Sequence, residues 1–184
     1  MPTGGYQIKD QNAIHFITFS VIEWVDVFTR TEYADIVVQS LQYCQQNKGL
    51  DIHAWVLMSN HIHLLISAKA DYYLSDILRD FKKFTSAKII QAIEANPRES
   101  RRNWMLWIFK TAGKRNKRNE QYQFWQQENH PIECSTAEVL STKKKYIHEN
   151  PLRAGLVRNE WDFVYSSAID YYLSKNGLLE IDSV

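Results

Sequence analysis

Hydrophobic and polar positions divide the chain into short periodic blocks. HFITFSVI, rich in β-branched and aromatic residues, predicts a strand over His15–Ile22. Thr29-Arg30-Thr31-Glu32 fits a capping box. It opens a helix whose apolar positions Tyr33, Ile36, Val37, Leu41 and Cys44 follow the 3.6 period, with Gly49 as its stop. Asp51–Met58 and His61–Ser67 read as two further strands, and the Ser59-Asn60 gap between them predicts a hairpin. A second helix is predicted over Leu74–Ala95, with a stripe of Leu74, Ile77, Leu78, Phe81 and Phe84 and with Pro97 beyond its end.

The later part is less regular. Arg98–Tyr122 mixes a short amphipathic piece, WMLWIFK, with the basic run GKRNKRN, and a strand is expected at Tyr122–Gln127. A third helix is predicted over Thr136–Asn150, closed by Pro151 because proline disfavours helical geometry in the residue before it. A tyrosine-rich stretch ending at Leu173 is expected to be helical. The order β-α-β-β-α-β plus a helix is that of an α+β, ferredoxin-like fold. Its four-stranded antiparallel sheet carries two helices on one face, and the added C-terminal helix covers part of the other.

Composition narrows the class. The 184 residues suit one domain, and 45% hydrophobic with 23% charged residues exclude a disordered or fibrous chain. No apolar run approaches the roughly 20 residues of a membrane span, and the first residues show no secretory pattern. The two cysteines, Cys44 and Cys134, match no metal spacing, so a cytoplasmic protein with reduced thiols is expected. A net charge of +1 hides an asymmetry: eight basic residues and one acid from Arg98 to Arg118, five acids and one base from Asn159 to Val184. Such a basic segment suits an anionic partner.

The most informative stretch is Ser59-Asn60-His61-Ile62-His63-Leu64-Leu65-Ile66. Alternate strand residues point the same way, so His61 and His63 share one face while Ile62, Leu64 and Ile66 share the other. The aliphatic face packs on the helices, which leaves the imidazoles on the uncovered side. Two neutral imidazoles at this spacing can bind one divalent ion. The hairpin register pairs Val56 with His63 and puts His53 on the opposite face, near Ile66, in a structural role. Lys143, Tyr146 and Asn150 fall on one side of the third helix. Two readings are open there. Asn150 is a capping residue and Tyr146 an ordinary packed ring, or the Asn150 amide oxygen completes a metal site with Tyr146 beside it.

AWVLMSNHIHLLIS followed about eighty residues later by KKYIHENPLRAGLV resembles the REP-associated tyrosine transposases, a branch of the single-tyrosine transposases with a His-hydrophobic-His (HUH) pair. HFITFS, LRDFKKFTS, FWQQENHP and the tail around Tyr165-Ser166-Ser167 extend the resemblance over nearly the whole chain. It implies a ferredoxin-like catalytic domain over residues 1–158, with 159–184 as a tail packed on or extending it. It implies cleavage of single-stranded DNA next to a hairpin, a divalent Mg²⁺ or Mn²⁺, and a tyrosine that becomes linked to the 5′-phosphate. Carried onto this sequence, the metal pair is His61 and His63, the nucleophile is Tyr146 and the third ligand is Asn150, with His148 and Glu149 as substitutes. Family members work as monomers or as homodimers that exchange the tyrosine helix.

Lys82, Lys83, Lys114, Arg115, Lys117, Arg118 and Lys143 are the candidate phosphate contacts, and Trp104, Trp107 and Trp125 the candidates for stacking on unpaired bases. The competing class is a non-catalytic nucleic-acid-binding module using an open sheet face. Such a module usually shows aromatics on its central strands, where this chain carries two histidines.

Overall fold

Along a strand over His61–Ala68 (β3), Ile62, Leu64 and Ile66 alternate with His61, His63 and Leu65, and this alternation divides the molecule into two layers. The computed structural model describes residues 7–116 and 121–183. β3 pairs antiparallel with β1 (His15–Ser20) on one side and β2 (Leu50–Leu57) on the other. A short β4 (Ile132–Glu133) adds to β1, giving the sheet order β2-β3-β1-β4. One face packs against α1 (Thr31–Asn47) and α2 (Leu74–Ala95). Ile17, Phe19, Ile52, Trp55, Leu57, Ile62, Leu64 and Ile66 meet Val37, Leu41, Ile77 and Phe81 there. The other face holds a smaller cluster in which Phe16, Ala54, Val56, Met58 and Leu65 meet Ile147 of α4 (Ala137–Arg153). This is the expected ferredoxin-like α+β arrangement. α3 (Arg102–Arg115) is inserted before β4 and α5 (Ala168–Leu173) follows α4.

The hairpin is as expected: the Met58 amide donates to the His61 carbonyl at 2.8 Å, and Val56 stands opposite His63. Gly49, at φ 66°, ends α1 with the ring of Tyr72 packed where a Cβ would stand. The tail covers β2. The Leu57 amide bonds to the Tyr165 carbonyl, the Ser167 amide to that of Trp55, and the Asp182 amide to that of Ile52. Among the described residues no helix is long and apolar enough to cross a membrane.

Several local expectations are corrected. Thr29 caps nothing: it lies in a 3-10 turn, its hydroxyl bonds to the Asp26 carbonyl, and α1 begins after Arg30 with no side-chain cap. Phe84 sits on α2 but is exposed, because the buried stripe passes from Phe81 through Thr85 to Ile89 and leaves position 84 beside it. The piece WMLWIFK is part of a full helix, α3, held by buried Met105 and Phe109. The expected strand at Tyr122–Gln127 makes only one bridge, Trp125 to Val21, and the ladder along β1 resumes at Ile132. α4 is not closed by Pro151. It runs through this buried residue to Arg153, giving up one backbone bond while keeping Asn150 in helical register with Tyr146. His53 is the extra residue of a bulge between Ile52 and Ala54. The bulge turns it to the α4 side, where its ring bonds to Ser67 Oγ and the Asp182 carbonyl. Its role is structural, as expected, but its face is not.

A buried carboxylate between two arginines ties the start of α1 to the start of α3. The Glu99 carboxylate is fully buried between Arg30 Nε (2.5 Å) and Arg101 Nε (3.2 Å). Burial pushes its carboxyl up, but hydrogen bonds and charge from Arg101 and Arg30 outweigh this and hold it below its ordinary value of 4.5. Glu99→Gln is expected to cost about 3 kcal/mol near neutral pH, at the foot of the range for a buried pair because both guanidinium groups remain partly in water. A carboxyl lowered by folding stabilises above its ordinary value and loses that contribution as pH falls through the folded one. The difference between wild type and variant should therefore shrink in acid, and urea unfolding at neutral and acid pH checks it.

Candidate active site

β3 presents His61 and His63 to the α4 side of the sheet with ring centroids 4.7 Å apart. Each ring is held at Nδ1. His63 Nδ1 lies 2.7 Å from Oγ1 of Thr18, its cross-strand neighbour on β1. His61 Nδ1 lies 2.7 Å from Asn60 Oδ1. The Asn60 amide cannot be turned over, because its Nδ2 donates to the Trp24 carbonyl (3.2 Å) and to Asp26 Oδ1 (3.1 Å). Ser59 Oγ donates to the same Asp26 oxygen at 2.6 Å, and Arg101 holds the Asp26 carbonyl at 2.9 Å. Asn60 thus offers only an acceptor to His61, which puts the proton on Nδ1 and the lone pair on Nε2.

His63 Nε2 is buried and has no hydrogen-bond partner among the described residues. Leaving a ring nitrogen unpaired in the interior costs free energy, and a bound water or ion is one way such a group is satisfied. With Nδ1 on an oxygen and Nε2 open, both rings have the arrangement of metal-ligating histidines. Both are kept neutral. Burial lowers His61, and burial followed by the charges of His61 and Lys143 brings His63 down to about 3. Among the described residues no third His, Cys, Asp or Glu joins the pair.

The site's other wall is α4. The Tyr146 ring stands edge-on to His63 at 5.2 Å and to Phe16 at 5.9 Å, with the Arg153 guanidinium 5.4 Å from its centre. Its hydroxyl makes no hydrogen bond to the described residues, whereas Tyr165 donates to Asp35 and Tyr171 to the His53 carbonyl. Lys143 Nζ lies 4.7 Å from the centre of the Phe16 ring, which stacks on His63. Asn150 follows Tyr146 by one turn, partly buried, and its side-chain amide is likewise unengaged among the described residues. The substitutes for it are committed elsewhere. Glu149 pairs with Lys145 (3.6 Å) and Arg153 (2.5 Å), and His148 bonds to Ser167 Oγ at 2.9 Å beside the rings of Tyr171 and Tyr172.

Comparison with known proteins bears on this geometry. Residues 9–108, more than half of the chain, match the family model described as transposase, IS200-like. The chain belongs to the IS200-like transposase family. Its fold is similar to that of a REP-associated tyrosine transposase bound to a REP hairpin, with a TM-score of 0.65 and 15% identity over 97% of this chain and 91% of that one. A candidate transposase from Deinococcus radiodurans R1 is more distant, with a TM-score of 0.47 and 16% identity over 82% of this chain and 97% of that one. No curated protein matches the chain in sequence. The family match includes His61 and His63 and ends before Tyr146 and Asn150.

In this transposase the expected phosphate contacts are scattered. Lys82 points inward: its ammonium bonds to the Gln126 carbonyl and Asn129 Oδ1, each at 2.8 Å, and burial brings it down to about 8. It pins the segment after Trp125 and is not turned out toward a phosphate. Lys83 is exposed on α2, across the sheet from the histidines. Lys114 and Arg115 are exposed in the last turn of α3, and Lys117 and Arg118 lie outside the described residues. Among the described residues Lys143 is the one expected contact placed beside the imidazoles. Trp104 and Trp107 are exposed, but Trp125 is buried and donates to Thr85 Oγ1. The sequence assigns Thr18 and Asp26 no role and gives Asn60 only one in the hairpin turn. Thr18 alone carried a signal, because strand alternation places it on the open face.

The Asn60 contact has a direct readout. Asn60→Ala is expected to release His61 into a mixture of tautomers while leaving the ring of His63 as it is. Nitrogen NMR of the imidazoles checks this, and an unchanged His61 tautomer would show that Asn60 does not set it.

Proposed function

We propose that this chain is a metal-dependent single-stranded DNA strand transferase that cleaves next to DNA hairpins through a covalent 5′-phosphotyrosine at Tyr146. The observation that carries this reading is the buried Nε2 of His63, unpartnered among the described residues, with the Tyr146 ring packed against the same imidazole and its hydroxyl free of hydrogen bonds to them. The family and the hairpin-bound neighbour of similar fold support DNA hairpins as the substrate.

His61 Nε2, His63 Nε2 and the Asn150 side-chain oxygen would hold Mg²⁺ or Mn²⁺; the amide oxygen suits both ions, and the two imidazole nitrogens suit Mn²⁺ better than the harder Mg²⁺. When bound, the ion polarises a phosphodiester oxygen and offsets charge that develops on it. Tyr146 Oη attacks the phosphorus, the Oη–P bond forms, and the bond from phosphorus to the 3′-oxygen of the preceding nucleotide breaks. The phenolic proton leaves to solvent, and the departing 3′-oxygen takes one up. An ordinary tyrosine titrates near 10, so phenolate character needs cations close by. Arg153 over the Tyr146 ring and Lys143 over the neighbouring Phe16 ring would provide them. The phosphotyrosine keeps the energy of the cleaved bond, so a later 3′-hydroxyl can attack it and rejoin the strand, which a hydrolytic nuclease could not do.

Because the Tyr146 hydroxyl bonds to nothing in the described protein, Tyr146→Phe is expected to change stability by less than about 0.5 kcal/mol. Incubated with Mn²⁺ and a labelled pool of DNA hairpins with randomised single-stranded flanks, wild type should give a protein–DNA adduct on a denaturing gel. The variant should bind the DNA and give none. An adduct undiminished in Tyr146→Phe would contradict the assignment.

A further inference from the structure

We infer that Trp24 is a stacking platform for the nucleobase immediately 5′ of the scissile phosphate, the base of the strand that leaves with a free 3′-hydroxyl. The inference rests on the strand-transfer reading and extends it to a binding subsite for an unpaired base. Three observations carry it.

The first is backbone strain. Glu23 and Trp24 have φ of 52° and 53°, two consecutive non-glycine residues in left-handed geometry. Such residues persist only where their surroundings enforce them, and they cluster at functional sites. Two hydrogen bonds enforce the geometry here. The Trp24 amide donates to the Val21 carbonyl at 3.1 Å, and its carbonyl accepts from Asn60 Nδ2 at 3.2 Å. Asn60 therefore fixes both the His61 tautomer and the Trp24 backbone.

The second is exposure. The enforced turn leaves the indole 55% exposed. An unburied tryptophan on a strained turn contributes little to the core. It does offer a flat apolar face, and every nucleobase has a face to stack on it.

The third is position. The Trp24 ring stands edge-on to His61 at 6.0 Å, His61 to His63 at 4.7 Å, and His63 to Tyr146 at 5.2 Å. The row follows β3, with Tyr146 at His63 and Trp24 beyond His61 at the hairpin end. In phosphoryl transfer the attacking and leaving oxygens lie roughly in line on opposite sides of phosphorus. A phosphate held at the imidazoles and attacked from the Tyr146 end must expel its 3′-oxygen toward the other end, where Trp24 stands. The nucleotide carrying that oxygen is the one 5′ of the break. Holding its base after cleavage keeps the free 3′-hydroxyl near the phosphotyrosine for rejoining.

The test compares Tyr146→Phe, which leaves the DNA uncut, with the double variant Tyr146→Phe/Trp24→Ala. The probes are hairpins recovered from the wild-type adduct, carrying an abasic site at one flank position at a time, with Mn²⁺ present. With intact DNA, Trp24→Ala should weaken binding about 5- to 150-fold, the effect of losing one base–aromatic stack, and Trp24→Phe should retain most of the affinity. In the Tyr146→Phe protein one abasic position should cause a loss of the same size. It should be the nucleotide directly 5′ of the phosphate found joined to Tyr146 in wild type, and it should have no effect once Trp24 is removed. Equal affinities with and without Trp24 overturn the inference. So does a uniform loss with no abasic position sensitive to Trp24, or sensitivity on the 3′ side of the break. A wild-type protein that forms no adduct defeats the strand-transfer reading itself, and the inference with it. Failure of the Trp24 comparison alone leaves that reading standing.

Discussion

The two-residue pleat of β3 is the constraint on which the rest depends. Ile62, Leu64 and Ile66 are driven into the helical layer by burial, and this leaves no choice for His61 and His63: they must face the other way. A one-residue slip against β1 would bury the imidazoles among aliphatics and expose the core residues. The pairing of Thr18 with His63 is therefore both a register mark of the sheet and the contact that orients the ring. α4 then closes over the polar face with Ile147 as its anchor, and Tyr146, one residue earlier, is delivered to His63.

Around this sheet a relay of polar contacts joins distant parts of the chain to the imidazole pair. Buried Glu99 fixes Arg101, Arg101 holds the Asp26 carbonyl, the Asp26 carboxylate holds Ser59 and Asn60, and Asn60 orients His61. α3, which is not part of the basic ferredoxin-like plan, thus braces the hairpin turn from its N-terminal end. Positioning a ring to within a few tenths of an ångström needs such support, because a ligand held only by its own strand swings about χ1 and χ2.

Much of this was legible in the sequence where one periodicity dominates. The bounds of α2 and the shared face of the histidines follow from apolar spacing with Pro97 as a stop, and the Ser59-Asn60 hairpin from its two-residue gap. Readings failed where tertiary contacts overrode local chemistry. Pro151 looked like a stop, but its ring is buried and the helix continues past it. His53 was assigned by strict alternation, which a bulge interrupts. Lys82 looked like a phosphate contact because a lysine in a helix is usually solvated. Here its ammonium is turned inward by the Gln126 carbonyl and Asn129. Trp24 and Asp26 lie in a turn with no period to read, so only the fold brings them to His61.

Whether the imidazole pair is a metal site beside Tyr146 is tested most directly by diffraction from crystals soaked in Mn²⁺, recorded at the manganese absorption edge. The expected result is a single anomalous peak bridging Nε2 of His61 and Nε2 of His63 on the side that faces Asn150. Saturating Mn²⁺ that leaves both ring nitrogens bare, or a peak elsewhere on the protein, would contradict it.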